Sequence, residues 1–396
     1  MVKQHISNIL TVNHAELERI IMKCYQIKRL PLMIWGAPGI GKSWTVKTSG
    51  QKLAKMEGLE FIDTKTPNKH PDKFCVTDIR LAQRDPSDVL GLPDVFAIIL
   101  QDNSRLEIPV KVLQEYLASG EECEIITFTT RWNPPSWLPH EGKGIIFLDE
   151  ILQAPQLTRS AAAEMIYDGR LGEWTKPEGY MIIGATNRIT EAPIFEISPF
   201  LANRFAHVEL RCPSVEEFVE WGMANGIDSR ILAFLMTHQS AIYKFDPKAR
   251  QHAFPTPRTW HYTSDMIKGI DDLDLIEIYS SICVGPYVAG EFRAFLRLRE
   301  KLPSIDVYIN KPNKVPIPEE HDLLYSLCAS LAEYFRTHKD KETLRSIIII
   351  SNRLPTEFGV FLMKSCKSIH EGFFKDTVLE LKEARPMLKK LGDYLL

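Results

Sequence analysis

The stretch Gly36-Ala37-Pro38-Gly39-Ile40-Gly41-Lys42-Ser43 follows a short apolar run, Leu30 to Trp35, and precedes a segment of helical character. It fits the pattern G-x-x-x-x-G-K-[ST]. Glycines there let the backbone curl around phosphates with successive N–H groups pointing inward. The helix that follows, beginning near Trp44, brings its positive N-terminal end to the same point. Lys42 can then reach the β- and γ-phosphates of a nucleotide, and Ser43 can ligate Mg²⁺. The eight residues alone could arise by chance. The predicted strand before them and helix after them supply the context that the chemistry needs.

A phosphate loop of this kind needs an acid for its metal. Gly144-Ile145-Ile146-Phe147-Leu148-Asp149-Glu150 offers one. The aliphatic run reads as a buried strand with Asp149 at its C-terminal end, which is where open α/β sheets bind ligands. Asp149 is expected to hold Mg²⁺ through water. Glu150 is expected to activate the attacking water as a general base.

Further apolar runs lie at residues 60–63, 74–79, 180–183 and 206–210, with helical stretches between several of them. Residues 13–29 read as a helix capped by Asn13, and Pro155 to Asp168 as another that ends at Gly169. Strands alternating with helices predict a parallel sheet covered on both faces. After Cys212-Pro213 the periodicity becomes helical. The expected organisation is an α/β core over 1–212 with an insert at about 95–140, a helical lid over 213–302, a proline-rich linker over 303–320 and a helical extension over 321–396. The run Ile347 to Ile350 is expected in a buried helix, and Pro386 is expected to kink or end the last helix.

Composition excludes several classes. The 396 residues are 44% hydrophobic and 25% charged, which rules out wholesale disorder. Lys and Arg number 48 against 51 Asp and Glu, so binding to nucleic acid through bulk charge is not expected. No run approaches the roughly 20 apolar residues that span a bilayer. The N-terminal residues have no signal-peptide core. The 7 cysteines are scattered and never form a C-x-x-C pair, which suits reduced thiols in the cytoplasm. No histidine spacing suggests zinc.

Several further stretches fall in a familiar order: Gly184-Ala185-Thr186-Asn187, Leu201-Ala202-Asn203-Arg204-Phe205 and Phe254-Pro255-Thr256-Pro257-Arg258-Thr259-Trp260. Together with the phosphate loop and the Asp149-Glu150 strand, this order resembles the AAA+ ATPases and, within them, the MoxR branch. The likeness is greatest to bacterial and phage ATP-binding proteins often encoded beside a partner with a von Willebrand A-like (VWA) domain. It rests on Leu138 to Ile151, on the hairpin-like Asp168 to Trp174, and on Ala253 to Trp260. It covers residues 28–300 well and the tail less diagnostically.

The resemblance implies a P-loop AAA+ core with an α-helical lid and a helical C-terminal extension, binding ATP or ADP with Mg²⁺. Gly36, Ala37, Pro38, Gly39, Ile40, Gly41, Lys42, Ser43, Trp44, Asp149 and Arg258 would bind the nucleotide, with Ser43 and Asp149 at the metal. Asn187 matches sensor 1, Arg204 the arginine finger reaching a neighbouring subunit, and Arg258 sensor 2. Arg188 is a weaker candidate for a finger. Structural alternatives stay open for each: a strand-end amide for Asn187, a surface ion pair for Arg204, a braced proline turn for Arg258. Asp85-Pro86 either opens an insert or simply caps a helix. The cluster of Trp132, Pro134, Pro135, Trp137 and Pro139 either faces a client or packs the insert.

The implied activity is ATP hydrolysis by a homo-oligomeric ring, expected to be a hexamer, that remodels a protein client or a VWA-domain partner. Neither a membrane nor nucleic acid is an expected partner. A nucleotide-dependent assembly switch with little turnover and a DNA-directed motor are the competing readings.

Overall fold

The computed structural model describes residues 9–27, 30–101, 104–118, 124–187, 197, 199–246 and 251–395. It divides into two compact units, Met1–Arg211 and Cys212–Leu396. Arg188, Cys123 and the N-terminal residues before Ile9 lie outside the described residues. No described helix is long and apolar enough to cross a membrane.

The first unit is built on a seven-stranded sheet. Its strands are β1 (Leu10–Val12), β2 (Leu32–Trp35), β3 (Phe61–Asp63), β4 (Phe74–Arg80), β8 (Lys143–Asp149), β11 (Tyr180–Thr186) and β12 (Ala206–Leu210). The spatial order is β1-β12-β2-β11-β8-β4-β3, and every neighbouring pair is parallel. β2 and β11 are buried at every residue, and β8 from Gly144 to Leu148. That explains their unbroken aliphatic runs: a parallel sheet covered on both faces has no polar side to alternate with. Helices α1 (His14–Gln26), α2 (Lys42–Glu57), α3 (Pro86–Leu90) and α5 (Gln156–Asp168) belong to this layer. Asn13 caps α1 in a reciprocal box with Glu16, each accepting from the other's backbone N–H at 2.9 Å. Asp85 precedes α3 with Pro86 at its start, and its N–H donates to Asp88 at 3.1 Å. The capping role of Asp85-Pro86 is therefore present.

Gly144 sits in the interior strand β8, facing Cys75 on one neighbour and Tyr180 on the other. A Cβ there would lie 2.0 Å from the Cys75 carbonyl oxygen and 2.7 Å from the Tyr180 ring. Gly144→Ala is thus expected to destabilise the unit by about 3 kcal/mol or more, because backbone blocks it on one side. Urea denaturation would read this as a large drop in midpoint. An unchanged midpoint would contradict the strand register.

The insert has its own fold. Strands β5 (Leu92–Gln101), β6 (Ser104–Pro109) and β7 (Glu124–Asn133) form an antiparallel sheet in the order β6-β5-β7, with α4 (Val110–Ala118) between the last two in sequence. Its small core is Ala97, Ile99 and Leu113. The aromatic–proline cluster divides. Trp137 is 5% exposed and donates from Nε1 to the Asp88 carbonyl at 3.2 Å, whereas Trp132 is 40% exposed. The expected hairpin after α5 is present as β9 (Arg170–Leu171) and β10 (Trp174–Thr175).

The second unit is all helical. It comprises α7 (Val215–Ala224), α8 (Ser229–Thr237), α9 (Pro257–Ile267), α10 (Leu273–Val284), α11 (Pro286–Arg297), α12 (Ile305–Asn310), α13 (His321–Thr337), α14 (Lys341–Arg353), α15 (Thr356–Ile369), α16 (Glu371–Glu380) and α17 (Ala384–Leu395); the short α6 (Pro199–Ala202) precedes them in the first unit. One hydrophobic core runs from Val215 to Met387. Lid and extension therefore share an interior, as where the Ser229 hydroxyl in α8 donates to the Ala329 carbonyl in α13 at 3.3 Å.

Residues 303–320 are not a free linker. Ile305, Tyr308 and Val315 are buried, and Arg353 holds the Val315 carbonyl at 2.6 Å. Prolines stop regular helix there without preventing burial of the apolar residues between them. The four isoleucines lie in α14, with Ile347, Ile348 and Ile350 buried. The last expected helix breaks before Pro386, at residues 381–383, between α16 and α17. Cys328 and Cys366 sit in this core, where burial pushes both thiols well up and leaves them poor nucleophiles.

Candidate functional site

The C-terminal ends of β2, β11 and β8 lie side by side, and the glycine loop, Asn187, Asp149 and Glu150 gather there, whereas Arg204 does not. Trp35 pairs with Thr186, so the glycine loop leaves β2 beside the point where Asn187 leaves β11. Leu148 pairs with Gly184, which brings Asp149 and Glu150 in from the other side. Residues far apart in sequence meet because β11 is wedged between the loop strand and the acid strand.

Within the loop, Gly39 and Gly41 have φ of 76° and 101°, the left-handed region that side chains avoid. α2 starts at Lys42 directly after Gly41. Lys42 is 9% exposed, and its ammonium donates to the carbonyls of Gly36 at 2.6 Å and Ala37 at 3.0 Å and to Asn187 Oδ1 at 3.0 Å. These three acceptors are neutral. An ammonium so placed beside the glycine loop suits contact with a phosphate. Trp44, in the first turn of α2, is 41% exposed.

The Ser43 hydroxyl donates to Asp149 Oδ2 at 3.3 Å. Two hard oxygen donors thus meet at the loop's exit, and that donor set fits Mg²⁺, which takes oxygen ligands and retains waters. The other oxygen of Asp149 accepts from the backbone N–H of Glu150 at 2.9 Å. Glu150 has φ 57° and is the sole non-glycine residue with positive φ among the described residues. Left-handed backbone at a glutamate carries strain, and strain concentrates where a side chain must be aimed.

Three contributors were not evident from the sequence. The first is His14, whose Nε2 lies 2.8 Å from the Ile40 carbonyl. A carbonyl only accepts, so Nε2 carries the proton, and the ring braces the loop from α1. The second is Asp78, two residues before the end of β4. Burial pushes its carboxyl above the ordinary range; the charge of Lys47 opposes this and that of Asp149 adds to it. Lys47, one turn beyond Ser43, bridges Asp63 at 2.8 Å and Asp78 at 3.5 Å. Burial works against the Lys47 charge, but the two carboxylates outweigh it and hold its ammonium above the ordinary range. An acid near the end of a buried strand was the available signal. The third is Tyr167, over whose ring the Arg204 guanidinium sits, 4.5 Å from the centroid.

Arg204 is exposed in the turn before β12 and stacks on α5. Arg258 is also exposed, at the second position of α9 in the other unit. Thr256 caps that helix, accepting from the Thr259 N–H at 3.1 Å.

No protein-family model matches the chain, and no curated protein matches it. Solved structures do. One is a DNA polymerase III gamma subunit-related protein from Thermotoga maritima, 13% identical, covering 97% of this chain and 99% of that chain, with a TM-score of 0.30. Another is NtrX from Brucella abortus in complex with ADP, 13% identical, covering 96% and 68%, with a TM-score of 0.35. A third is a RuvB mutant from Thermotoga maritima, 14% identical, covering 81% and 83%, with a TM-score of 0.32. These are likenesses of fold at most, and the site is read from its own residues.

Proposed function

We propose that this chain is an ATP-hydrolysing P-loop protein of the AAA+ type, of the MoxR branch, that works as a homo-oligomeric ring on a protein partner. The observation that carries the reading is the convergence of Lys42, Ser43, Asn187, Asp149 and Glu150 at one end of the sheet. A phosphate-binding loop alone would suit a simple nucleotide binder. A carboxylate beside the metal-binding acid suits hydrolysis, because a binder has no use for a base.

The loop amides and Lys42 would bind and orient the β- and γ-phosphates. Ser43 and Asp149 would hold Mg²⁺, which would supply positive charge to offset that of the phosphates. Glu150 would take a proton from water as the water oxygen attacks the γ-phosphorus. The bond from that phosphorus to the bridging oxygen breaks, and ADP leaves with its electron pair. Asn187, bonded to Lys42, would orient the water or the γ-phosphate. Arg204 would act on the nucleotide of a neighbouring subunit, so that a ring, of six subunits in this reading, completes the site. Arg258 would report nucleotide state to the helical unit. A VWA-domain protein is the proposed partner.

Lys42→Ala is expected to abolish binding of a fluorescent ATP analogue while leaving the fold intact; affinity within threefold of wild type would refute the loop's role. Steady-state phosphate release by the wild type, with and without DNA at physiological salt, tests the client class. Stimulation several-fold by DNA would move the client from protein to nucleic acid.

A further inference from the structure

The strand that delivers the glycine loop and the strand that follows Arg204 are neighbours in the sheet. β2 pairs with β12 in parallel, with Met33 opposite His207 and Trp35 opposite Glu209. Side chains two apart on a strand share a face, so Trp35 and His207 project from the same side. Their ring centroids lie 6.1 Å apart. Trp35 is 7% exposed and is the last residue before Gly36. The fit is tight there: a Cβ on Gly36 would lie 2.7 Å from the Leu210 carbonyl oxygen at the end of β12.

The His207 ring makes two hydrogen bonds, and both select one tautomer. Nε2 lies 2.8 Å from the Ala202 carbonyl, which only accepts, so Nε2 carries the proton. Nδ1 then holds a lone pair, and it accepts from the Trp35 indole N–H, which only donates, at 3.0 Å. The other tautomer would lose both bonds. The Ala202 carbonyl also takes the Phe205 N–H at 3.2 Å and so closes the turn 202–205. Arg204 stands third in that turn, with its own N–H donating to the Leu201 carbonyl at 3.3 Å. Phe205 is 7% exposed and meets the His207 ring edge-on at 6.4 Å. The backbone on both sides of Arg204 is therefore fixed, while Arg204 itself is exposed.

We propose that His207 is a positioning residue for Arg204. It ties the end of β2, from which the glycine loop leaves, to the turn that presents the arginine. The contacts run from Lys42 to the Gly36 carbonyl, along the backbone to Trp35, and through His207 to Ala202. The arginine that a subunit offers its neighbour is thereby held in register with its own glycine loop. The inference rests on the reading of Arg204 as acting across a subunit boundary.

The test uses the full chain and measures steady-state phosphate release and binding of a fluorescent ATP analogue. His207→Phe keeps a ring but neither hydrogen bond, and should lower kcat at least tenfold with analogue affinity within threefold of wild type. His207→Gln, whose amide N–H reaches the Ala202 carbonyl, should be at least threefold faster than His207→Phe. Mixing separates positioning from scaffolding. An excess of Lys42→Ala supplies well-held arginines, and phosphate release per His207→Phe subunit should rise at least threefold; an excess of Arg204→Ala should not raise it. A smaller loss in kcat, a larger loss of affinity, a smaller gain with glutamine, or no rise with Lys42→Ala would overturn the proposal. Arg204→Ala alone is run beside them. If it keeps the wild-type rate, the reading of Arg204 fails and this inference with it; if it is slow while His207→Phe fails any arm, this inference alone falls.

Discussion

Arg204→Ala is expected to lower ATP hydrolysis by about 10³–10⁵-fold, the range in which arginine fingers act in other phosphoryl transfers. Nucleotide affinity should stay within a few fold, because the side chain makes no part of the loop that holds the phosphates. The fold should also survive. Arg204 is exposed, and among the contacts it loses is the stack on Tyr167, an interaction worth about 0.5–1 kcal/mol at such a site. A loss of rate without loss of binding or stability therefore separates chemistry from scaffolding. Mixing Arg204→Ala with Lys42→Ala provides the geometric control. Neither variant should turn over alone, yet in the proposed ring a mixture would place an intact Arg204 beside an intact Lys42, and activity should partly return. If Arg204→Ala hydrolyses ATP within threefold of wild type, the residue is only the cation over the Tyr167 ring.

The second large effect is at Glu150. Glu150→Gln keeps shape and hydrogen-bonding length but removes the base, and should slow turnover by about 10²–10⁴-fold while ATP still binds. Equal rates in the two proteins would leave the assembly-switch reading in place of hydrolysis. The backbone adds a second readout. Glu150 holds φ at 57°, a conformation that asparagine tolerates better than glutamate. Glu150→Asn is thus expected to gain up to about 1 kcal/mol in stability as it loses turnover. Glu150→Gln, which keeps the strain, should gain nothing. Urea midpoints of the two variants measure the difference.

The sequence was most legible where chemistry dictates local pattern. Gly36 to Ser43 and Gly144 to Glu150 declare themselves because a phosphate needs glycines and a lysine, and a metal needs an acid at a strand's end. The long aliphatic strands were equally plain, since burial on both faces leaves no polar residues to blur them. What could not be read is what depends on neighbours distant in the chain. Nothing local says that β11 separates β2 from β8, although that order brings Asn187 to Lys42. His14 is an ordinary first-turn residue until α1 is set beside Ile40. β1 has 3 residues and only Val12 is buried, too little for a period to show. The insert was expected, but its three strands were not delineated, because β7 is exposed over nearly its whole length and its alternation marks no core. The stretch 303–320 misled because proline content suggests an open connector, while Tyr308 and Val315 are held by packing.

The insert also bears on how such a chain can change. Its first paired residue, Leu92, lies opposite its last, Asn133, so the excursion begins and ends at one place. Its three strands pair only with each other. A segment with adjoining ends is an interchangeable cassette. It can lengthen, shrink or be replaced through recombination at a modest entropic cost, because closing a loop grows harder only slowly with its length. The ends of β2, β11 and β8 would keep their alignment throughout. Variation in the cassette and constancy at the proposed nucleotide site can then proceed separately, in one polypeptide, from a single point of attachment.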